Sequence, residues 1–316
     1  MNQTTARSSG TGLRSFCERF IVRFGKEAFH EPEVLATEFR QYFGINGVPR
    51  LFYLKQLALN DLGIYEIGPQ RAIGGKRGWF FKYGNNIELQ YKVDDWDGSK
   101  EFTIAHEIRE IMGVVMKDIY PEFVDVEGEE LESEAEAFAA AFLMDKDEFY
   151  ADMVACGFDP IWLHEKYHKS YIAIVSRMAT ILQPMKGCFW ASVYEFDENA
   201  PQGFVVARCF HRSPKYIPRV RYRVPNFLFP KRGQLVPLKS NLEIASVQRR
   251  PVYVQQLKGL DFWEKYCLSV IIRPVLWGGK VAKLIVVAVP YRDSDKFQKQ
   301  VLSIRPLVVQ ESFQVI

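Results

Sequence analysis

The spacing of apolar residues changes near the middle of the chain, and this change limits the folds available to it. Most segments before Pro184 have apolar residues at helical intervals, whereas segments from Gly187 onward alternate or run continuously, as strands do. A chain of 316 residues is long enough for two domains and a small module between them. We therefore predict an α+β protein with domains at residues 13–150 and 186–316 and a linking module at 151–185.

Charge divides the chain at nearly the same place. Residues 1–186 contain 21 Lys and Arg against 29 Asp and Glu, which gives −8, whereas residues 187–316 contain 20 against 9, which gives +11. An acidic front and a basic back indicate either that the two parts have different partners or that they attract each other. The sequence leaves both interpretations open.

The cysteines and the hydropathy pattern indicate a cellular compartment. The five cysteines are scattered, and none of them forms a CxxC pair. This pattern favours reduced thiols over a disulfide framework. Apolar runs stay well short of transmembrane length, so we expect a cytoplasmic protein without a membrane partner.

The front part mixes helical and strand patterns. Two helices are predicted over residues 13–45, and the stretch from 51 to 93 has the texture of short strands separated by Gly, Asn and Asp. Two of these strands, at 79–83 and 87–91, are joined by Gly84-Asn85-Asn86, which is a favourable hairpin connection. A compact α+β arrangement is therefore expected before residue 100.

Two long helices follow, and then a pair of short ones. The long helices are predicted at about 100–117 and 129–144, where apolar residues recur at intervals of three and four. The short pair occupies residues 159–183, with Lys169-Ser170 as the turn between them. After residue 187 we predict several strands, a hairpin at Trp277-Gly278-Gly279-Lys280 and two further helices. These two helices are expected near 241–249 and over about 294–312.

A histidine and a glutamate stand one helical turn apart in the first long helix. The spacing of four residues puts His106 and Glu110 on one face, so both side chains can reach one volume. Zinc peptidases place two metal ligands in this way, and an intervening glutamate, here Glu107, acts as general base. The string reads HExxE rather than HExxH, and acidic helices produce such strings readily.

The surroundings of this string resemble a known family. The segment Phe102-Thr103-Ile104-Ala105-His106-Glu107-Ile108 is followed, in the second long helix, by a run from Glu132 to Met144 that reads ESEAEAFAAAFLM. Together they resemble the ImmA/IrrE family of metallopeptidase-like regulators, whose patterns are FTxAHExxH and ExxAxxFAAxLLMP. The resemblance covers about residues 30–150 and implies a zincin-like fold there.

The resemblance also implies roles for individual residues. His106 and Glu132 would be metal ligands, Glu107 the catalytic base, and Glu110 a ligand in the place of the family's second histidine. The implied ion is Zn²⁺, although two carboxylate ligands shift the preference toward harder ions such as Mn²⁺. Three activities stay open: a peptidase with altered metal preference, a slow metal-dependent enzyme, and an inactive relative. Asp145 replaces the family's proline after Met144, which is expected to affect only how that helix ends.

A literal HExxH string occurs further along the chain. It reads His164-Glu165-Lys166-Tyr167-His168, but its helix is predicted to end at Lys169 and no second acidic helix follows. We therefore disfavour it as a metal site. Its surroundings instead resemble the helix-turn-helix that follows the peptidase domain in IrrE proteins. Such a unit would offer Tyr171, Ser176 and Arg177 to DNA, a thin set for reading bases, and a packing module is favoured.

Residues 186–316 resemble a GAF-like α/β domain, through a predicted helix and strand at 241–254 and a strand hairpin from Ser269 to Val289. Domains of this kind commonly bind small molecules. Arg219, Arg221 and Arg223 alternate along a predicted strand and would share one face. Such a face could hold phosphates, nucleic acid or an acidic partner, or it could simply be solvated.

The resemblance as a whole implies an IrrE-like regulator of the stress response. Such a protein would cleave an XRE-type helix-turn-helix repressor, which is thus the expected protein partner and substrate. A small-molecule ligand of the GAF-like domain is a second expected partner, and DNA is a less favoured one. The alternative is a catalytically inactive transcriptional regulator that binds a ligand or DNA through residues 159–316.

Overall fold

A computed structural model of the chain gives the arrangement of its helices and strands. The chain divides into two compact units, residues 1–148 and 149–316. The described residues are 11–71, 77–84, 86–181, 189–196, 204–212, 245, 249, 251–254, 268–290 and 307–309.

The first unit is built of helices around one small sheet. The helices are α1 (Thr11–Phe24), a 3-10 helix (Glu27–His30), α2 (Pro32–Tyr42), α3 (Leu51–Asn60), α4 (Asp97–Ile119) and α5 (Glu129–Leu143). The strands are β1 (Glu66–Gln70), β2 (Gly78–Tyr83) and β3 (Asn86–Lys92). The sheet order is β1-β3-β2, with β1 parallel and β2 antiparallel to β3.

The helix α4 is the centre of this unit. It packs against α5, α1, α3 and the sheet, and its buried residues include Ile104, Ile108, Ile111 and Met112. A helix that is buried around most of its circumference must satisfy every polar side chain it carries. The buried polar residues of α4, such as Arg109, therefore lie where a partner meets them, and this requirement shapes the candidate site.

Residues 51–60 were predicted as part of a strand region, and this prediction is wrong. They form α3, in which Leu54, Leu57 and Ala58 are buried at intervals of three and four residues. The first amide of the helix, Leu51 N, donates to Glu101 Oε1 of α4 at 2.9 Å. A partner distant in sequence thus satisfies the start of the helix, and no local signal could reveal it.

The second unit carries an extended sheet. After α6 (Lys146–Ala155), which crosses the boundary, come α7 (Pro160–Tyr167) and α8 (Tyr171–Ile181). The strands are β4 (Phe189–Phe196), β5 (Phe204–Arg212), β6 (Val252–Val254), β7 (Leu268–Trp277), β8 (Lys280–Pro290) and β9 (Leu307–Val309). Their order is β5-β4-β8-β7-β6-β9, and only the β6–β9 pair is parallel.

Two predictions for this unit can be compared with the sheet. The hairpin at Trp277 to Lys280 joins β7 and β8, and both of its glycines have positive φ, so that prediction is confirmed. The predicted terminal helix over 294–312 is wrong at Leu307–Val309, which pair with β6. Pro306 disfavours a continuing helix, and the β-branched Val308 and Val309 favour a strand.

The mixed α+β class is observed, whereas the GAF-like and helix-turn-helix assignments stay predictions. The arginines at 219, 221 and 223 lie outside the described residues, as does most of the helix predicted at 241–249. No helix in the described parts of the chain is long and apolar enough to cross a membrane.

Candidate metal centre

The helix α4 presents two of the predicted ligands toward each other. His106 and Glu110 are separated by one helical turn, and His106 Nε2 lies 3.3 Å from Glu110 Oε1. Both side chains are largely buried, with 15% and 21% of their surface exposed. The spacing of four residues therefore brings these two side chains together on one face of α4.

The helix α5 supplies the third carboxylate. Its buried stripe, which includes Ala135, Phe138 and Phe142, packs against the first-unit core. Because this stripe packs against the core, the first turn of α5 lies beside α4. There, Glu132 Oε2 lies 3.5 Å from His106 Nε2. Unlike the two α4 residues, Glu132 is 67% exposed.

These three side chains fit the requirements of a single divalent ion. One ligand atom from each of His106, Glu110 and Glu132 can be chosen so that all lie within 4.8 Å of one another. A tetrahedral ion with bonds of about 2.0–2.2 Å holds its ligand atoms roughly 3.3–3.6 Å apart. The observed separations of 3.3 and 3.5 Å match this value. Their role as ligands stays a prediction.

The carboxylates around His106 also control its protonation. Burial of the ring lowers its pKa, but the hydrogen bond with Glu110 and the charges of Glu107, Glu110 and Glu132 outweigh it, so the pKa is raised above 6.5. In the absence of an ion, these carboxylates therefore favour the protonated form of the imidazole. A divalent ion would have to displace that proton.

Glu107 is placed differently from the three candidate ligands. It is 6% exposed, and its carboxylate lies against the first residue of β2. A Cβ built on Gly78 would be 2.9 Å from Glu107 Oε1 and would overlap Thr103 Cγ2. Only glycine leaves room here for the helix and strand to approach, and the only sign of this in the sequence is a glycine immediately before a predicted strand.

Arg109, which is adjacent to Glu110 in the sequence, points away from this cluster. Its guanidinium donates to Asp125 at 3.1 and 3.3 Å and to Glu134 at 2.6 Å, and it is 1% exposed. On a helix, adjacent residues face different directions, so Arg109 cannot share the face of Glu110. The sequence did not single out Asp125, because it lies in an irregular segment.

Residues 73–177 match the IrrE N-terminal-like domain family, peptidase M78. The chain carries an IrrE N-terminal-like domain. The predicted resemblance is therefore confirmed, and the match includes all four residues predicted for the site. It also extends through α6 and α7 and most of α8.

Comparisons over the whole chain are less specific. A Mycobacterium tuberculosis transcriptional regulator is similar in structure, with a TM-score of 0.57 and 12% identity, over 96% of this chain and 88% of that chain. At this identity the likeness shows a shared fold alone. No curated protein sequence matches significantly.

The first histidine of the HExxH string at 164–168 is engaged in packing between α7 and the start of α8. His164 Nδ1 lies 2.7 Å from the Lys169 carbonyl oxygen, and its ring stacks on Tyr171 at 4.2 Å. His168 ends α7 in the left-handed conformation, so it leaves the face on which His164 lies. Neither histidine belongs to a metal-ligand cluster among the described residues.

The end of α5 shows what replaces the proline of the family pattern. The helix stops at Leu143, and Asp145 Oδ1 accepts hydrogen bonds from the amides of Asp147 and Glu148 at 3.1 Å. These contacts satisfy the free amides at the start of α6. Asp145 therefore affects the beginning of the next helix as well as the end of α5.

Proposed function

We propose that this protein is an IrrE-like metal-dependent endopeptidase that regulates transcription by cleaving an XRE-type repressor. The observation that carries the proposal is the convergence of His106, Glu110 and Glu132 from two helices of an IrrE N-terminal-like domain. Glu107 lies on the same helix as two of them and has a buried carboxylate. This combination supports peptide hydrolysis better than it supports binding alone.

The three converging side chains would hold the ion, which is Zn²⁺ or, given two carboxylates, Mn²⁺. When bound, the ion supplies Lewis-acid activation of water and of the scissile carbonyl. Glu107 would take the proton of the attacking water and deliver it to the leaving amine nitrogen. The close packing against Gly78 helps to hold the Glu107 carboxylate in place.

The charge near the site favours a basic protein substrate. Glu129, Glu130 and Glu136 are exposed on the helix that carries Glu132, and the whole front part of the chain is acidic. DNA-binding proteins carry clustered lysine and arginine. An XRE-type repressor would therefore be attracted to this face, in keeping with a regulatory role in the cytoplasm during stress.

A catalytically inactive regulator is the second candidate, and Glu110 is the observation that favours it. Two anionic ligands donate more charge to an ion than one would, so they reduce the acidity of the water that it activates. Such a regulator would act through a small molecule bound to the GAF-like domain or through DNA. Binding of DNA by α8 is not favoured, because Arg177 is 1% exposed.

The test has two parts. Metal content is measured in purified protein, in Glu110→Ala and in Glu136→Ala as a matched control, after loading with Zn²⁺ or Mn²⁺. We expect about one ion per chain except in Glu110→Ala, and no ion under any loading condition would refute the proposal. The protein is then incubated with the repressor encoded beside its gene. Cleavage should be lost in Glu107→Gln, and persistence would show that Glu107 is not the base.

A further inference from the structure

A second cluster of histidine and carboxylates lies beside the face of α4 that carries Arg109. His30, Asp125 and Glu134 bring ligand atoms within 4.8 Å of one another, which is also the donor set of a metal site. However, the Arg109 guanidinium already lies among these carboxylates. A buried divalent ion beside a permanent cation would be strongly repelled. The carboxylates of this cluster are therefore partners of Arg109 rather than ligands of an ion.

Arg109 connects three separate segments. It forms a bidentate pair with Asp125 of the segment before α5, and its Nη2 donates to Glu134 Oε2 of α5 at 2.6 Å. Its guanidinium carbon lies 4.3 Å from the centre of the Phe29 ring. His30 Nδ1 lies 3.2 Å from both oxygens of Glu134. A planar donor with fixed geometry sets the mutual positions of such partners.

A glycine in α4 makes room for the Asp125 carboxylate beside Arg109. Gly113 is one helical turn after Arg109, and a Cβ there would overlap Asp125 Oδ2 and lie 3.4 Å from Arg109 Nη1. Glycine in the middle of a helix costs about 1 kcal/mol relative to alanine. The chain tolerates this cost at a position where only glycine lets the Asp125 carboxylate reach the guanidinium.

The first turn of α5 is where such an anchor matters. Gly128 precedes the helix at the capping position and has no side chain to cap the free amides. Glu129 and Glu132, which are three residues apart in the same turn, carry like charges and repel each other. Glu132 is 67% exposed, so packing of its own side chain does little to fix it. Glu134, two residues later, is 14% exposed and tied to Arg109.

We propose that Arg109 and Glu134 are positioning residues for the metal centre. Their ion pair holds the first turn of α5 against α4, and in doing so it keeps Glu132 within reach of His106. Arg109 and Glu110 are adjacent in sequence, so one helix carries both the anchor and a candidate ligand. This inference rests on the proposed function for the identity of the ligands, but not for the anchoring of α5.

Metal affinity is the first measurement, made by chelator competition with Zn²⁺ and with Mn²⁺. Glu134→Ala should bind about 10- to 100-fold more weakly than the wild type, the range typical for residues that orient metal ligands. Glu134→Gln keeps an acceptor for Arg109 and should recover most of the affinity. Glu136→Ala, which removes the same charge from an exposed position of α5, should stay within about twofold of the wild type.

A double-mutant cycle separates positioning from general damage. In a Glu132→Ala background the ligand to be positioned is gone, so adding Glu134→Ala should change affinity by less than about threefold. An equal loss in both backgrounds would overturn the proposal. If Glu134→Ala does not fold, Glu134→Asp replaces it, because its shorter side chain keeps the charge but cannot span to the guanidinium.

Hydrogen exchange of the metal-free protein provides an independent readout. Amides of the first turns of α5, including that of Glu132, should exchange faster in Glu134→Ala than in the wild type or in Glu136→Ala. Unchanged exchange would overturn the anchoring. Failure of the wild type to bind either ion would instead refute the proposed function, and the exchange experiment would still decide whether Arg109 and Glu134 anchor α5.

Discussion

At the scale of single residues, Glu110 determines the chemistry of the candidate donor set. It faces His106 Nε2 at 3.3 Å with a carboxylate oxygen, and Glu132 presents a second oxygen. Imidazole nitrogen suits Zn²⁺, whereas carboxylate oxygen suits Mn²⁺ and other hard ions. One imidazole with two carboxylates therefore gives an intermediate preference, which a single substitution can shift.

Glu110→His should increase the preference for Zn²⁺ over Mn²⁺ by at least about tenfold, because an imidazole replaces an oxygen ligand. The ratio of the two dissociation constants, measured by competition, checks this. Glu110→Gln is the control, since it removes the charge without supplying an imidazole, and it should weaken both ions. A ratio that is unchanged in Glu110→His would mean that residue 110 is not a ligand.

The raised pKa of His106 gives a prediction for the metal-free protein. Burial opposes protonation of the ring, but the hydrogen bond to Glu110 and the three nearby carboxylates favour it more strongly. Proton binding therefore stabilises the folded state. That contribution is complete below the ordinary pKa of 6.5 and is lost as the pH rises through the raised value. Metal affinity should change in the opposite direction and increase over the same range.

Proton NMR of the His106 ring measures this pKa directly. In metal-free Glu110→Gln the pKa should be lower than in the wild type, because the largest favourable contribution comes from the Glu110 hydrogen bond. A His106 pKa that is unaffected by the substitution would contradict the observed contact.

At the scale of elements, the approach of β2 to α4 depends on Gly78. Gly78→Ala should lower the free energy of unfolding by about 1–3 kcal/mol, because the added methyl group overlaps Thr103 Cγ2. It should also reduce repressor cleavage, since it displaces Glu107 Oε1. Gly68→Ala in β1 is the matched control, because a Cβ there meets none of the described atoms within 4 Å. Equal effects of the two substitutions would refute this account.

Replacing Gly113 in α4 by alanine has two opposing effects on the stability of the protein. Alanine at an ordinary position inside a helix would stabilise it by about 1 kcal/mol. Here the methyl group overlaps Asp125 Oδ2, and separating a buried carboxylate from its arginine costs more than that gain. We therefore expect Gly113→Ala to lower the unfolding midpoint in denaturant. A midpoint equal to or higher than that of the wild type would show that Asp125 can move aside.

The elements that the sequence predicts well are those whose signal is local. The helices α4 and α5 follow from periodic apolar residues, and the β7–β8 hairpin follows from its two glycines. Glu101 satisfies the start of α3, and β6 pairs with the strand β9, so in both cases a contact distant in sequence completes the element. The same distinction applies to the site. The spacing of His106 and Glu110 is local, but the pairing of Arg109 with Asp125 and Glu134 is tertiary.

At the scale of the whole molecule, the candidate ligands belong to the first of two compact units. All of them lie on α4 and α5, whereas the long sheet belongs to the second unit. An ion that binds the folded protein stabilises it by RT ln(1 + [L]/Kd), about 2.7 kcal/mol at a hundredfold excess over Kd. Local openings that expose the ligands are suppressed by the same amount, whereas openings elsewhere are not.

Metal should therefore slow hydrogen exchange unevenly along the chain. With saturating Zn²⁺ or Mn²⁺, amides of α4 and α5 that exchange by local opening should slow by roughly the factor that the free-energy gain implies, about 100-fold at a hundredfold excess. Those of β7 and β8 should change little. His106→Ala removes the candidate ligand that both carboxylates face and should abolish the difference, whereas Glu107→Gln should retain it because Glu107 is outside the candidate donor set. Uniform slowing in both units would show that the ion binds elsewhere or couples the whole chain.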